Sequence, residues 1–233
     1  MAGFFSLDGY GRLLLEGTWA TIELGVLSLV VAFLLGLLGA SAKLSRSRLL
    51  RAVATAYTTL IRAVPDLVLM LLLFYGIQIG LNHVTESLGL QQMDIPPFLA
   101  GVITLGFIYG AYYTETLRGA FLAVPRGQIE AGYAYGMSGW RVFRDILFPQ
   151  MMRFALPGIG NNWLVVVKAS AIVTILGLDD LVKAAIDASQ GTQRAFFFLV
   201  LAAGIFLAIT TVSSLVLAWA EKRYSLGVRE SEL

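Results

Sequence analysis

The sequence predicts an all-α integral membrane protein with five transmembrane helices and an extracytoplasmic N-terminus. Hydrophobic residues make up 58% of the 233 residues and only 14% are charged, whereas a soluble domain is nearer half apolar and a quarter charged. The apolar residues are gathered into five stretches, each long enough to supply the ~20 residues that a bilayer core requires. Lys and Arg are concentrated in alternate loops between these stretches, and this bias orients a membrane protein.

The elements follow one another from the N-terminus. Residues 1–19 mix aromatic and leucine side chains with charges, which favours a segment that lies in the membrane interface. The five spans are predicted at about 20–42, 53–81, 97–117, 155–178 and 195–220. The second span contains Pro65, so we expect it to tilt and to kink there. The polar connections are the long loop 118–154, the loop 82–96, the amphipathic segment 179–193 and the tail 221–233.

The orientation follows from the basic residues. Those of one set of alternate loops are residues 43, 46, 48, 51, 62, 118, 126, 141, 144, 153, 222, 223 and 229. The other set holds only residues 12, 183 and 194, and Lys168 lies inside a span. Because Lys and Arg accumulate on the cytoplasmic side, the loop 118–154 and the C-terminus are predicted to be cytosolic.

The composition leaves little material for catalysis or metal binding. Cysteine is absent and His83 is the only histidine, so thiolate metal sites and a Ser-His-Asp arrangement are not expected. The nearest approach to a phosphate-binding loop, Gly39-Ala-Ser-Ala-Lys43, lacks the Gly-Lys-Ser/Thr ending whose amides hold phosphate. We therefore predict no catalytic residue, no cofactor and no metal, and no nucleic-acid partner. Any ATP that drives this protein must be hydrolysed by a separate chain.

The stretch Glu130–Gln150 within the long loop has the layout of two helices joined by a turn. The first carries small residues at helical spacing, Ala131, Gly132, Ala134 and Gly136, which would let a partner's backbone approach closely. Glycine at 136 and 139 breaks the helix, and Ser138 can cap the next one. That second helix presents Trp140, Phe143 and Leu147 as an apolar stripe and Arg141 on its other face, and Pro149 is expected to end it.

The same stretch resembles the "EAA" signature of the membrane subunits of ABC importers. The matching residues are Glu130-Ala131-Gly132, Gly136 and Ile146-Leu147-Phe148-Pro149. Gly132 replaces the usual second alanine, and Phe148 separates Leu147 from the proline. The resemblance implies that the loop is the coupling helix, which docks into a groove on the ATPase subunit through Glu130, Ala131, Gly132, Gly136 and Arg141. The alternative is a cytosolic helical hairpin without that role.

Ionisable side chains inside spans are costly, so each one is a candidate for function. Asp66 either pairs with Arg62 one turn away or, freed by the kink at Pro65, faces a cationic solute. Glu115 either bonds Arg118 or another helix, or it lines the solute pathway.

Lys168 lies midway along the fourth span, where its ammonium needs an anion. A structural partner and a substrate carboxylate are equally compatible with this position. Asn161 and Asn162 enter the same span beside Pro157, Gly158 and Gly160. Irregular backbone at membrane depth is tolerated in protein or around a cavity, so the two amides are candidates for the solute pathway.

Beyond the loop, residues 18–225 resemble the polar amino acid branch of these permeases. The resemblance rests on an ordered series that includes Leu60-Ile-Arg-Ala-Val-Pro65, Gly110-Ala-Tyr-Tyr-Thr-Glu115, Asn161-Asn162-Trp163 and Leu176-Gly-Leu-Asp-Asp180. It is similar to the Q-type subunits of histidine, lysine/arginine/ornithine and opine systems. It implies a type I ABC importer fold in the inner membrane, a second homologous permease subunit that forms a heterodimer, an ATP-binding cassette ATPase dimer and a periplasmic solute-binding protein. The implied substrate is a basic amino acid or an opine.

Two departures touch the substrate. Thr59 and Asn162 stand where some relatives have glutamate, so two carboxylates that could meet a cationic solute are missing. A glutamine/glutamate-type permease therefore remains an alternative. An ion-coupled secondary amino acid carrier is another alternative, but it would call for more spans or an internal repeat, and it leaves the Glu130–Gln150 loop unexplained.

Overall fold

The computed structural model describes Leu7 and residues 9–224, and this part of the chain is helical without β-strands. We number its helices α1 to α8. They are α1 Gly11–Leu44, α2 Arg48–Ala63, α3 Asp66–Ser87, α4 Pro97–Ala123, α5 Arg126–Ala134, α6 Gly139–Leu176, α7 Leu181–Thr192 and α8 Ala195–Tyr224. Five of these, α1, α3, α4, α6 and α8, are long and apolar enough to cross a membrane, which confirms the predicted number of spans.

The centre of the fold is the pair α1 and α4, which pack along most of their lengths. Small residues allow this approach: a Cβ on Gly36 would lie 2.5 Å from the Cβ of Tyr113, and one on Gly106 would lie 2.5 Å from Val31 Cγ1. Helices in membranes commonly associate through such small residues because van der Waals packing drives the contact. Helix α6 covers another side of α4, and α8 packs on α6 and α7.

Helix α1 begins earlier than the composition indicates. It starts at Gly11 and continues unbroken to Leu44, so residues 11–19 are continuous with the first spanning helix, and their place in the membrane interface stays a prediction. Residues 1–6 and 8 of the predicted interfacial segment lie outside the described residues, as do residues 225–233 of the predicted tail.

The predicted second span, 53–81, is two helices rather than one kinked helix. Helix α2 ends at Ala63, Val64 is extended with ψ 141°, and α3 begins at Asp66. The cause is Pro65, which disfavours the helical conformation of the residue before it and lacks the N–H that would continue the hydrogen-bond ladder. The spanning part is therefore Asp66–Ser87.

Helix α6 corrects the expectation that Pro149 ends a helix. Residues Val142–Leu147 form a π-helix, and the N–H of Phe148 donates to the carbonyl of Phe143. In a π-helix each backbone N–H donates to the carbonyl five residues earlier. This change of hydrogen-bond spacing falls just before Pro149, which has no N–H to donate. The chain therefore continues as an α-helix from Phe148 to Val173, and a second proline, Pro157, lies inside it.

The turn after α6 is held by a buried carboxylate. Asp180 Oδ1 accepts hydrogen bonds from Thr174 Oγ1 at 2.7 Å and from the backbone N of Lys183 at 2.9 Å, which caps α7. The backbone N of Leu181 donates to Thr21 Oγ1 of α1 at 3.1 Å. Burial raises the pKa of the Asp180 carboxyl above its ordinary value. Asp180 thus joins the end of α6 to the start of α7, and the next residue ties both to α1.

Candidate functional site

The connection between α4 and α6 consists of the short helix α5 and a turn on either side of it. Helix α4 ends at Ala123, and Pro125 precedes α5. After α5 the chain reverses at Gly136, whose φ of +76° lies in the left-handed region, where glycine carries no steric penalty. Ser138 then accepts a hydrogen bond from the N–H of Arg141 at 3.5 Å, which caps α6. The break and the cap predicted from the sequence are both present.

Helix α5 packs on the first turns of α6 through Gly132. A Cβ at this position would lie 2.7 Å from Ile146 Cδ1 and 3.1 Å from Val142 Cγ2. Gly132 and Val142 are both buried. The absence of a side chain at 132 therefore serves packing within the chain, whereas the sequence predicted that it would admit a partner.

The outer surface of this helical hairpin is polar and aromatic. Glu130, Ala131, Gly136 and Arg141 are all exposed. Trp140 is also exposed and its ring stacks on Phe143 with the centroids 5.7 Å apart. The predicted apolar stripe of Trp140, Phe143 and Leu147 therefore contributes only part of the packing of this helix against the rest of the protein. The buried side chain of this turn is Val142.

The start of α3 does not show the ion pair that the sequence left open for Asp66. Its Oδ2 instead accepts a hydrogen bond of 2.8 Å from the hydroxyl of Tyr109 in α4. The Arg62 guanidinium lies 5.4 Å from the centroid of the Tyr112 ring, a distance at which cation–π attraction operates. The two groups therefore anchor the α2–α3 junction to α4 through two different tyrosines.

Glu115 is bound on two sides. Its carboxylate pairs with Arg118 one turn along α4, at 3.0 Å, and with Lys43 at the end of α1. Lys43 also donates to Thr58 of α2 at 2.6 Å. Both structural contacts considered for Glu115, to Arg118 and to another helix, are thus present. Lys43, Thr58, Thr59, Arg62, Ala63, Tyr112 and Glu115 line a polar cavity of about 470 Å³ between α1, α2 and α4.

The polar residues of α6 divide into two groups. Asn162 is buried and its Nδ2 donates to Thr116 Oγ1 of α4 at 3.1 Å. Asn161 and Lys168 are exposed, and neither has a hydrogen-bond or ion-pair partner among the described residues. Seven residues separate them, so they lie on the same face of the helix two turns apart. Among the candidate residues within the spans, these two remain available to something outside the chain.

Three partners of the candidate residues were missed at the sequence level. Tyr109 bonds Asp66 across 43 residues, Thr116 bonds Asn162 across 46, and Lys43 bonds Glu115 across 72. None of these pairs has a local spacing that could have indicated it. Arg118 was predicted because the spacing of three residues in a helix is a contact distance.

Comparison with known proteins gives a consistent result over the whole chain. Residues 27–226 match the family described as binding-protein-dependent transport system inner membrane component. The chain is 55% identical to the histidine/lysine/arginine/ornithine transport system permease protein HisQ of Escherichia coli K12, covering 97% of this chain and 100% of that protein. It is 39% identical to the octopine transport system permease protein OccQ of Rhizobium radiobacter, covering 97% and 95%.

The fold has a counterpart among solved structures. A chain in the crystal structure of an amino acid ABC transporter with histidines superposes with a TM-score of 0.80 at 33% identity, covering 96% of this chain and 99% of that one.

Proposed function

The chain belongs to the family of binding-protein-dependent transport system inner membrane components, and we propose that it carries basic amino acids or opines into the cell. It is an inner-membrane permease subunit of an ATP-driven importer of polar amino acids, and ATP is hydrolysed by a separate subunit. The observation that carries the substrate class is the 55% identity to HisQ over 97% of this chain and the whole of that protein. The 39% identity to OccQ supports including opines.

The proposed orientation places the N-terminus in the periplasm and the α4–α6 connection in the cytosol. It is supported by the basic residues of alternate loops, which accumulate on the cytoplasmic side. In this orientation the α1–α2 turn, the α5 hairpin and the C-terminal end of α8 share the cytosolic side. The α3–α4 loop and α7 are on the periplasmic side, where the solute-binding protein would dock.

Membership of the family implies an ATPase, a solute-binding protein and a partner permease. We infer that the partner is a homologous but non-identical subunit and that the ATPase docks on the α5 hairpin. The contacting residues would be Glu130, Ala131, Gly136 and Arg141, which are exposed, with Gly132 acting from within by seating α5 on α6. A surface that combines a carboxylate, a guanidinium and the exposed ring of Trp140 has the composition of an interface anchor.

The solute pathway would run beside the exposed face of α6. An unpaired ammonium at mid-span cannot face lipid without a large cost, so Lys168 faces either water in the pathway or the partner subunit. Asn161 shares that face and offers both donors and acceptors. Three other candidate residues have partners within the chain, namely Asp66, Glu115 and Asn162. They would position the helices around the solute pathway, and they would contact the solute only if those hydrogen bonds and ion pairs break.

The mechanism then needs no bond chemistry in this chain. ATP binding would bring the two ATPase subunits together, and with them the two coupling hairpins. Because α5 packs on α6 and α6 continues through the membrane without a break, movement of the hairpin is transmitted along α6 to the face that carries Asn161 and Lys168.

The test is ATP hydrolysis by the complete importer in proteoliposomes, with the binding protein loaded in turn with arginine, ornithine, histidine, an opine or glutamine. We expect stimulation by a cationic amino acid or an opine, and loss of stimulation on Glu130→Lys with normal membrane insertion. The matched control is Lys222→Glu, a charge reversal at an exposed residue of the cytosolic end of α8, outside the hairpin. Stimulation by glutamine alone would overturn the substrate class, and full stimulation of Glu130→Lys would overturn the coupling role.

A further inference from the structure

Helix α2 has three distinct faces. The buried face carries Ala54, Thr58 and Ile61 and packs on α1 and α4. Two exposed edges flank it, and helical periodicity of 100° per residue separates them cleanly. One edge is apolar and comprises Leu49, Leu50, Val53 and Leu60. The other is polar and comprises Arg48, Arg51, Thr55, Thr59 and Arg62, all of them exposed.

The neighbours of the two edges show how α2 lies relative to the spanning helices. The apolar edge adjoins Leu35, Leu38 and Ala42 of α1 and Phe107 of α4. The polar edge adjoins Lys43 of α1 and Tyr112 and Glu115 of α4. Because residues 35 to 43 and 107 to 115 progress in the same direction along two packed spans, the polar edge of α2 lies toward the cytosolic end of both.

Helix α2 therefore lies across α1 and α4, with its apolar edge toward the bilayer core and its polar edge toward the cytosolic surface. Amphipathic helices with a basic face adopt this placement at membrane interfaces. The apolar edge and α1 enclose a groove of about 420 Å³, whose lining is formed by Leu35, Leu38, Gly39, Ala42, Leu49, Leu50, Val53, Ala54, Tyr57 and Phe107.

The charges beside this groove are of one sign. Residues 43–65 contain five Lys and Arg residues and no Asp or Glu. Lys43 is occupied by Glu115 and Arg62 lies over Tyr112. Arg46, Arg48 and Arg51 are exposed and have no acidic partner among the described residues. Arg48 and Arg51 flank Leu49 and Leu50, which line the groove, so the free guanidinium groups and the apolar channel belong to one end of α2.

We propose that this end of α2 is a binding site for an anionic phospholipid of the cytoplasmic leaflet. An acyl chain lies in the groove against Leu38, Leu49 and Val53, and the phosphate is bound by Arg46, Arg48 and Arg51. The groove supplies an apolar surface at acyl-chain depth and the arginines supply the complementary charge at headgroup depth. This assignment rests on the proposed orientation, but not on the identity of the solute.

The test is the lipid that the purified complex of permeases and ATPase retains. The complex is reconstituted in nanodiscs of phosphatidylcholine with graded phosphatidylglycerol, and the phosphatidylglycerol bound per complex is measured by native mass spectrometry. The triple variant Arg46→Gln/Arg48→Gln/Arg51→Gln should weaken retention by about a hundredfold, since each of the three basic residues near an anionic surface contributes about a factor of five. The corresponding Arg→Lys triple variant should retain most of the lipid, because either Lys or Arg is attracted to an anionic headgroup.

Two further variants separate the site from a general effect of charge. Arg12→Gln removes a basic residue from the opposite end of α1, where it pairs with Glu16, and should leave retention unchanged. Val53→Trp fills the groove without touching the arginines and should lower retention of phosphatidylglycerol and phosphatidylcholine alike.

Equal retention by wild type and the Arg→Gln triple variant would overturn the proposal. A second result would also overturn it: Val53→Trp weakens association with the second permease subunit while lipid retention stays unchanged. The groove would then be a protein interface. Neither measurement depends on transport. If the proposed substrate class is wrong, this shows only in the ATP hydrolysis assay and leaves the lipid measurements unchanged.

Discussion

Gly136 offers a direct test of whether the conformation of the α4–α6 hairpin controls ATPase docking. Its φ of +76° is in the left-handed region, and nothing lies within 4 Å of a Cβ placed there. The cost of a substitution is therefore a backbone cost alone. For an L-residue with a Cβ it is roughly 1–2 kcal/mol, which corresponds to about a 5- to 30-fold smaller population of the docking-competent hairpin.

The matched control is Gly127, which also has open space around it but lies inside α5 with an ordinary φ. Gly136→Ala should weaken binding of the ATPase subunit to the permease pair by about 5- to 30-fold, measured by titrating the ATPase into proteoliposomes. Gly127→Ala should bind as wild type or slightly better, because alanine favours a helix. Gly136→Asn should lie between them, since asparagine enters the left-handed region more readily.

The reasoning fails in two ways that the same titration distinguishes. If Gly136→Ala and Gly127→Ala bind the ATPase equally well, the turn conformation does not limit docking. If Gly136→Asn is as impaired as Gly136→Ala, the defect comes from the added side chain at the interface and not from the backbone.

Three further predictions concern stability, each measured by thermal unfolding of the purified permease complex. Glu115→Gln should destabilise by about 3 kcal/mol, because it leaves the Lys43 ammonium, 11% exposed, without its carboxylate, and adding Lys43→Met should recover part of the loss. Gly106→Ala should destabilise the protein by about 1–3 kcal/mol, because the added Cβ overpacks against α1. Gly76→Ala should not, because no atom lies within 4 Å of a Cβ at that position. Equal effects of the two substitutions would refute this packing argument. Burial raises the folded-state pKa of Asp180, so its protonated carboxyl stabilises the fold at low pH, and that stabilisation is lost as the pH rises through the raised pKa. The stability of the wild type relative to Asp180→Asn should therefore decline over that range, and parallel pH profiles of the two proteins would contradict the assignment.

The number of spans could be predicted from composition, but several helix ends could not. Hydropathy reports the apolar length, and α1 and α6 both extend beyond it, to Gly11 and to Gly139. At Pro65 the usual rule for proline held, since the helix ends before it. At Pro149 it did not, because the π-helix Val142–Leu147 precedes the proline. A π-turn has no distinctive residue type, so the sequence carried no signal that distinguished these two prolines.

The sequence indicates which side chains within the spans need partners, but it does not indicate which partners they find. Glycines at 36 and 106 fix the register of α1 against α4 by admitting Tyr113 and Val31. That register is what brings Lys43 to Glu115. A sequence shows that a charge lies within a span and that it therefore needs a partner, but the partner depends on how two helices are aligned. Only Arg118, one turn away on the same helix, was within reach of local spacing.

The distribution of charge also constrains which end of a solute this subunit can hold. The cavity beside Glu115 contains the carboxylate together with Lys43 and Arg62, and Arg118 pairs with the same carboxylate. The exposed face of α6 presents Lys168. The cavity beside Glu115 is therefore net positive, whereas the α6 face also adjoins a carboxylate, because Glu221 of α8 lines a cavity together with Asn161. A net positive cavity attracts the carboxylate that every amino acid carries and repels a guanidinium or ammonium side chain. If the solute is a basic amino acid, the anionic contact to its side chain must therefore come from outside this cavity, either from Glu221 beside the α6 face or from the partner permease subunit.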